Sequence, residues 1–151
     1  MPVVDATHLW RGLYQGSRPP VGPWVRSAGF DVLVLAAEEY QPHDRSFPGV
    51  AVIHAPLKDG PVTDRSRKTI RNASRLVHAY LAAGKSVLVT CNMGLNRSGV
   101  IAATSIRRAI GAEPMMIVEH IKNKRGVLAL SNQHFVDSFR RGEFGGTWRS
   151  K

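Results

Sequence analysis

Cys91 and the residues that follow it could bind and attack a phosphate group. The segment from Cys91 to Ser98 reads Cys-Asn-Met-Gly-Leu-Asn-Arg-Ser, with an apolar run before it and a helical pattern after it. A loop between a strand end and a helix N-terminus directs backbone N–H groups and the helix dipole at an anion. Arg97 adds a planar fork that matches two phosphate oxygens. The same positive field favours the thiolate form of Cys91, which is a strong nucleophile.

Each position of this loop has an expected role. Cys91 is expected to attack phosphorus and to form a phosphocysteine. The phosphate oxygens are expected to be held by the loop residues, which are Asn92, Met93, Gly94, Leu95, Asn96 and Arg97. Gly94 allows the backbone to curl tightly, and Gly99 allows the following helix to pack closely on the sheet. This chemistry requires no metal and no other cofactor.

Phosphate transfer from an ester also needs a group that gives a proton to the leaving oxygen and later takes one from water. Two aspartates that precede Cys91 are candidates, Asp59 and Asp64. Asp59 lies in a Lys-Asp-Gly-Pro turn that directly follows an apolar strand pattern, so it is expected to lie above the sheet. Asp64 has a competing role as an N-cap or first-turn acid of the next helix. We therefore predict that Asp59 is the general acid and base.

Short apolar runs alternate with helical patterns along the chain. Strands are predicted over residues 9–14, 31–35, 50–54 and 86–90. Helices are predicted over about 64–83, 97–110 and 114–124, and a last helix is predicted with Ser131 as its N-cap and with Phe135 and Phe139 on one face. This alternation predicts a single α/β domain, in which a mostly parallel central sheet of about four to five strands is flanked by helices.

Length and charge restrict the function further. The chain has 151 residues, which suits a single domain over 1–151, and residues 142–151 are expected to form a flexible tail. A net charge of +10 favours anionic partners. There is no apolar run long enough to span a membrane and no pattern of a secretory signal, and one cysteine cannot form an internal disulfide. We therefore expect a cytoplasmic protein.

The Cys-x5-Arg-Ser pattern resembles the signature of the cysteine-dependent protein tyrosine phosphatase superfamily, and the length resembles its compact dual-specificity branch. Three further segments are similar to that branch, namely 13–19, 54–60 and 125–135. The resemblance implies a hydrolase that acts on phosphotyrosine and also on phosphoserine or phosphothreonine. It also implies that the Ser98 hydroxyl stabilises the departing thiolate, and that Asn132 is a polar residue behind the loop. Asn132 is equally explained as a helix-terminus residue.

Two residues depart from the family pattern. The family usually has a histidine directly before the nucleophile, where this chain has Thr90. A threonine hydroxyl can replace one hydrogen bond of that histidine but not its charge, so a less activated thiolate is expected. Asn96 is less usual in the protein-directed enzymes, and Gly94-Leu-Asn96-Arg97 resembles the loop of the RNA 5′-triphosphatase branch. An RNA 5′-tri- or diphosphatase, and a weakened module that only binds phosphate, therefore remain alternatives.

A basic stripe recurs at helical spacing in the helix after the predicted general acid. Its residues are Arg65, Lys68, Arg71 and Arg75. A solvated helix face is the simplest explanation of such a stripe. Because the helix starts directly after the Asp59 turn, its first turns are also a candidate for attracting an anionic substrate beyond the phosphate itself.

Overall fold

A five-stranded sheet forms the centre of the computed structural model, which describes residues 2–146. The strands in chain order are β1 (Thr7–Trp10), β2 (Leu13–Gly16), β3 (Val32–Ala37), β4 (Ala51–Leu57) and β5 (Val87–Thr90). Their spatial order is β1-β2-β5-β3-β4, in which β1 is antiparallel to β2 and every other pair is parallel. This arrangement confirms the predicted single α/β domain with a mostly parallel sheet.

Helices cover both faces of the sheet. They are α1 (Trp24–Ser27), α2 (Asp64–Ala82), α3 (Arg97–Ile110), α4 (Pro114–Arg125) and α5 (Gln133–Arg140), and a short 3₁₀ turn spans Asp44–Ser46. Strand β3 is buried on both faces: Val32 and Val34 belong to the large core under α2 to α5, whereas Leu33 belongs to a smaller core with residues near α1. Burial on both faces explains why this strand is continuously apolar. Among residues 2–146, no helix has both the length and the apolar character that a membrane span requires.

Local sequence signals fix the ends of the long helices. Thr63 caps α2 through a reciprocal pair of hydrogen bonds with Ser66, and Glu113 accepts hydrogen bonds at the start of α4. Gly111 ends α3 in the left-handed conformation, with φ at 61°. The predicted limits of these helices are therefore met to within one or two residues.

Three local predictions are wrong. Residues 9–14 form the end of β1, a turn and the start of β2, because Arg11 adopts a positive φ of 48° and reverses the chain. The N-cap of α5 is Asn132 rather than Ser131, since the Asn132 side chain accepts from the N–H groups of the first turn. Residues 142–146 do not behave as a free tail, because Phe144 is fully buried. The rest of the expected tail, 147–151, lies outside the described residues.

The parallel strands β2, β3, β4 and β5 end at the same edge of the sheet. Gly16 at the end of β2 is in register with Thr90 at the end of β5, and Thr90 is in register with Leu35 near the end of β3. Ala37 in turn is in register with Leu57 of β4. The residues that follow these strand ends therefore meet at the carboxyl edge, where open α/β sheets bind their ligands.

Candidate functional site

The segment Cys91–Ser98, called the phosphate loop below, connects β5 to the N-terminus of α3. Cys91 is 5% exposed, and its Sγ lies 3.2 Å from the Ser98 Oγ. The Gln15 Nε2 donates a hydrogen bond of 3.1 Å to the same Ser98 oxygen. Because that oxygen already accepts from Gln15, its own proton can point at the cysteine sulfur. The arrangement suits a hydroxyl that donates to a thiolate.

The loop is held from behind by two side chains that lie outside the Cys-x5-Arg-Ser motif. The buried Gln15 of β2 donates to the Gly94 carbonyl at 3.1 Å. Arg125 at the end of α4 donates to the same carbonyl at 3.0 Å, and its guanidinium is paired with Asp5. Hydrogen bonding to Asp5 raises the pKa of Arg125. A polar residue in a buried strand is the one sequence signal that singles out Gln15.

Gly94 is needed because the loop passes close to strand β2. Its φ is +71°, and an added Cβ would lie 2.6 Å from the carbonyl oxygen of Gly16. Gly99 is also close to a neighbour, since an added Cβ would lie 3.0 Å from the Leu130 side chain. The glycine positions of the motif therefore reflect close approach of the backbone to neighbouring segments.

The backbone of the phosphate loop offers donors to an anion. Within residues 2–146, the N–H groups of positions 92–96 donate to no protein acceptor, and those of α3 follow directly. These positions are Asn92, Met93, Gly94, Leu95 and Asn96. A curved loop with unused N–H groups at a helix N-terminus has the form of an anion cradle.

Arg97 lies at the first turn of α3 with one edge of its guanidinium occupied. Its Nη1 and Nη2 donate to the two carboxylate oxygens of Glu39 at 2.6 and 2.8 Å, and Nη1 also donates to the Leu57 carbonyl at 3.0 Å. Hydrogen bonding to Arg97 lowers the pKa of Glu39 to about 2, and the same bonds raise the pKa of Arg97. The opposite edge, with Nε and the second proton of Nη2, remains for two oxygens of a phosphate.

Asp59 follows β4 and contacts the phosphate loop directly. Its Oδ2 accepts from the Asn96 side chain at 3.3 Å, and its Oδ1 accepts from the Asn132 Nδ2 at 2.8 Å. Asn132 also caps α5, and its backbone N–H donates to the Asn96 Oδ1 at 2.8 Å. The helix-terminus role of Asn132 is therefore observed, and the same side chain also contacts Asp59.

The side chains of Asp64 and Thr90 bond to groups outside the phosphate loop. Asp64 is fully exposed in the first turn of α2 and pairs with Arg67 at 2.8 Å. The Thr90 hydroxyl donates to the Val34 carbonyl on β3 at 2.7 Å, so it does not supply the hydrogen bond to the phosphate loop that the sequence suggests. Gln15 and Arg125 perform that organising task instead.

The family of the chain follows from a match to known proteins. The model of the dual specificity phosphatase catalytic domain matches residues 13–141, which is most of the chain. The chain therefore belongs to the dual specificity phosphatase catalytic-domain family, and the predicted resemblance is confirmed. No curated protein sequence matches the chain.

Several solved structures share the fold. Human DUSP28 is 23% identical, with a TM-score of 0.78 and coverage of 93% of each chain. DUSP15 is 19% identical, with a TM-score of 0.78 and coverage of 94% of this chain and 89% of its own. A mouse putative dual specificity phosphatase complexed with zinc tungstate is 22% identical, with a TM-score of 0.76 and coverage of 93% and 89%. At these identities the likeness concerns the fold.

Proposed function

We propose that this protein is a cysteine-dependent phosphatase that hydrolyses phosphate monoesters of proteins, with phosphotyrosine as a substrate and phosphoserine or phosphothreonine as further substrates. One observation carries the proposal. A buried thiol, the free edge of an arginine and an exposed carboxylate converge on one loop at the carboxyl edge of the sheet. A cytoplasmic location is part of the proposal, since the thiol has to remain reduced to react.

In the first step the Cys91 thiolate attacks phosphorus and forms a sulfur–phosphorus bond. The bond between phosphorus and the ester oxygen breaks, and Asp59 gives its proton to that oxygen. The N–H groups of the phosphate loop and the free edge of Arg97 hold the three other oxygens. Glu39 keeps the guanidinium in the orientation that leaves this edge free.

In the second step a water molecule attacks the phosphorus of the phosphocysteine. Asp59, now a carboxylate, takes a proton from the water, and the sulfur–phosphorus bond breaks. Inorganic phosphate leaves, and the electron pair returns to the Cys91 sulfur. The Ser98 hydroxyl, 3.2 Å away, donates to the sulfur as this charge forms. Asn132 and Asn96 hold Asp59 within reach of both steps.

The geometry around Asn96 weakens the RNA alternative. That residue gives the loop its likeness to the RNA 5′-triphosphatase branch, and here both ends of its amide are engaged. Its Nδ2 donates to Asp59, and its Oδ1 accepts from the backbone of Asn132. The presence of an asparagine at this position is thus explained by placement of the general acid, without an RNA substrate.

The test compares p-nitrophenyl phosphate, a phosphotyrosine peptide and a 5′-triphosphate RNA under metal-free conditions with the wild type and Cys91→Ser. We expect the wild type to hydrolyse the aryl phosphate and the peptide, and we expect the mutant to be inactive while it still binds tungstate. A much higher kcat/KM on RNA would overturn the protein substrate. No turnover of any substrate, with tungstate still bound, would make the chain a binding module.

A further inference from the structure

A second cluster of positive charge lies outside the phosphate loop. A groove of about 470 Å³ follows one face of α2, where its lining positions recur at intervals of three and four residues. We call it the α2 groove. Its lining residues are Asp64, Arg67, Lys68, Arg71, Asn72 and Arg75 of α2, together with Arg108 of α3. Arg65 of the predicted basic stripe is not among them and lines a separate cavity beside Lys58.

At the end of the groove near the start of α2, carboxylates compensate the positive charge of Arg67 but not the charges of Arg71 and Lys68. Arg67 pairs with Asp64 at 2.8 Å and with Glu143 at 2.9 Å. Arg71 is close to the same glutamate, but its Nε donates to the backbone carbonyl of Glu143 at 2.8 Å. A neutral carbonyl accepts the hydrogen bond without cancelling the charge. Lys68 is exposed, and its side chain makes no hydrogen bond within residues 2–146.

At the other end of the groove, the side chains of Arg75 and Arg108 also donate hydrogen bonds to neutral acceptors. Arg75 donates to the side-chain amide oxygen of Asn72 at 2.9 Å, and Arg108 donates to the hydroxyl of Ser74 at 3.0 Å. Burial first, and then the charges of Arg75 and Arg71, lower the pKa of Arg108. Arg71, Arg75 and Arg108 are thus held together around a concavity, and none of the three pairs with a carboxylate within residues 2–146. An anionic ligand would relieve this repulsion.

We propose that the α2 groove binds an acidic stretch of the polypeptide substrate while the phosphorylated residue occupies the phosphate loop. The proposal rests on the proposed function. Two features favour an acidic peptide over other anions. The groove has no aromatic lining residue, whereas single-stranded RNA is usually held by stacking on aromatic rings. It is also concave and lacks apolar lining residues that would enter a lipid surface.

The two sites are close enough for one peptide. Asp59 contacts the phosphate loop, and α2 begins five residues later, so the Cα atoms of Asp59 and Lys68 are at most about 24 Å apart. An extended peptide covers that distance with about seven residues. The structure therefore predicts a preference for acidic residues within about seven positions of the phosphorylated residue.

The groove can be tested apart from catalysis. A labelled peptide of aspartate and glutamate without phosphate would be titrated by fluorescence anisotropy against the full chain carrying Cys91→Ser. Lys68→Glu with Arg75→Glu should weaken binding about tenfold at low salt, and added salt should remove the difference. The matched control is Lys85→Glu with Lys124→Glu, which makes the same change in net charge at exposed sites outside the groove. We expect the control to bind like the parent.

Kinetics then connect the groove to the substrate. The double variant Lys68→Glu with Arg75→Glu, called the groove variant, should lower kcat/KM for a phosphopeptide with a distal acidic stretch. It should leave p-nitrophenyl phosphate turnover unchanged. Equal losses in the groove and control variants would overturn the proposal, because net charge alone would then explain binding. The proposal would also be overturned if the groove variant weakened binding of single-stranded RNA or of anionic vesicles more than it weakened binding of the acidic peptide. Failure of p-nitrophenyl phosphate turnover in the wild type would count against the proposed function, while the unphosphorylated peptide still tests the groove.

Discussion

The phosphate loop and the acid loop (residues 58–63) meet at one site but are held in different ways. The phosphate loop is anchored by buried groups, since Cys91, Gly94, Arg97 and Ser98 are buried and Gln15 supports them from β2. In the acid loop, Asp59 is exposed and held by side-chain amides. The loop that we propose to bind phosphate is thus preorganised by the core, whereas the loop that we propose to supply the general acid is held by exchangeable contacts.

This difference predicts separate effects on catalysis. Changes in the phosphate loop should affect stability, phosphate binding and turnover together. Changes in the acid loop should affect turnover while phosphate binding remains.

The largest effect is expected at Asp59, the proposed general acid. Asp59→Asn removes the proposed proton donor but keeps a side chain of similar size, so kcat should fall by about 10²- to 10⁴-fold. Tungstate affinity should stay within a few-fold of the wild type, as measured by calorimetry. Asp64→Asn is the matched control and should leave kcat unchanged. A large loss of kcat in the control instead would assign the role to Asp64.

The next effect is expected at the turn of the phosphate loop. Gly94→Ala places a Cβ against the Gly16 carbonyl at a backbone φ of +71°. The unfavourable conformation alone costs about 1–2 kcal/mol, and the contact adds to it. We expect lower unfolding free energy in denaturant titration and loss of tungstate binding. Gly60→Ala is the control, because an added Cβ there meets nothing within 4 Å. Equal stability of the two variants would contradict a tightly packed loop.

A smaller effect is expected where the two loops are joined. Asn132→Ser keeps an N-cap for α5 but removes the 2.8 Å hydrogen bond to Asp59. We expect kcat to fall about tenfold, with thermal stability nearly unchanged and with little change in tungstate affinity. If tungstate affinity fell as much as kcat, Asn132 would act through the phosphate loop rather than through the acid.

The smallest effect is expected at Glu39. Hydrogen bonding to Arg97 lowers the pKa of Glu39 to about 2. The contribution of this ion pair is therefore complete at pH values above the usual pKa of a glutamate, and it is lost only as the pH falls towards 2. Glu39→Gln should therefore raise KM about three- to tenfold. The factor should be the same at every pH from 5 to 8. Glu38→Gln is the neighbouring control. A KM effect that disappears at pH 5 would show that Glu39 titrates there.

The parts of the molecule that could be predicted from sequence are those encoded by consecutive residues. The strand, loop and helix around Cys91 form one local motif, and the Asp59 turn directly follows a strand pattern. Gln15, Glu39 and Arg125 come from distant segments, and only the sheet order and the packing of α4 bring them to the loop. The turn inside 9–14 has no clear sequence signal at Arg11, because Arg11 adopts a conformation unusual for its residue type.

The most direct test is to trap the covalent intermediate. Asp59→Asn would be mixed with p-nitrophenyl phosphate, quenched in acid within the first turnovers and analysed by peptide mass spectrometry. Loss of the carboxylate slows attack by water more than release of nitrophenolate, a good leaving group, so the intermediate should accumulate. The account predicts one phosphoryl group on Cys91. A phosphoryl group on another residue, or nitrophenolate release without any phosphoenzyme, would contradict it.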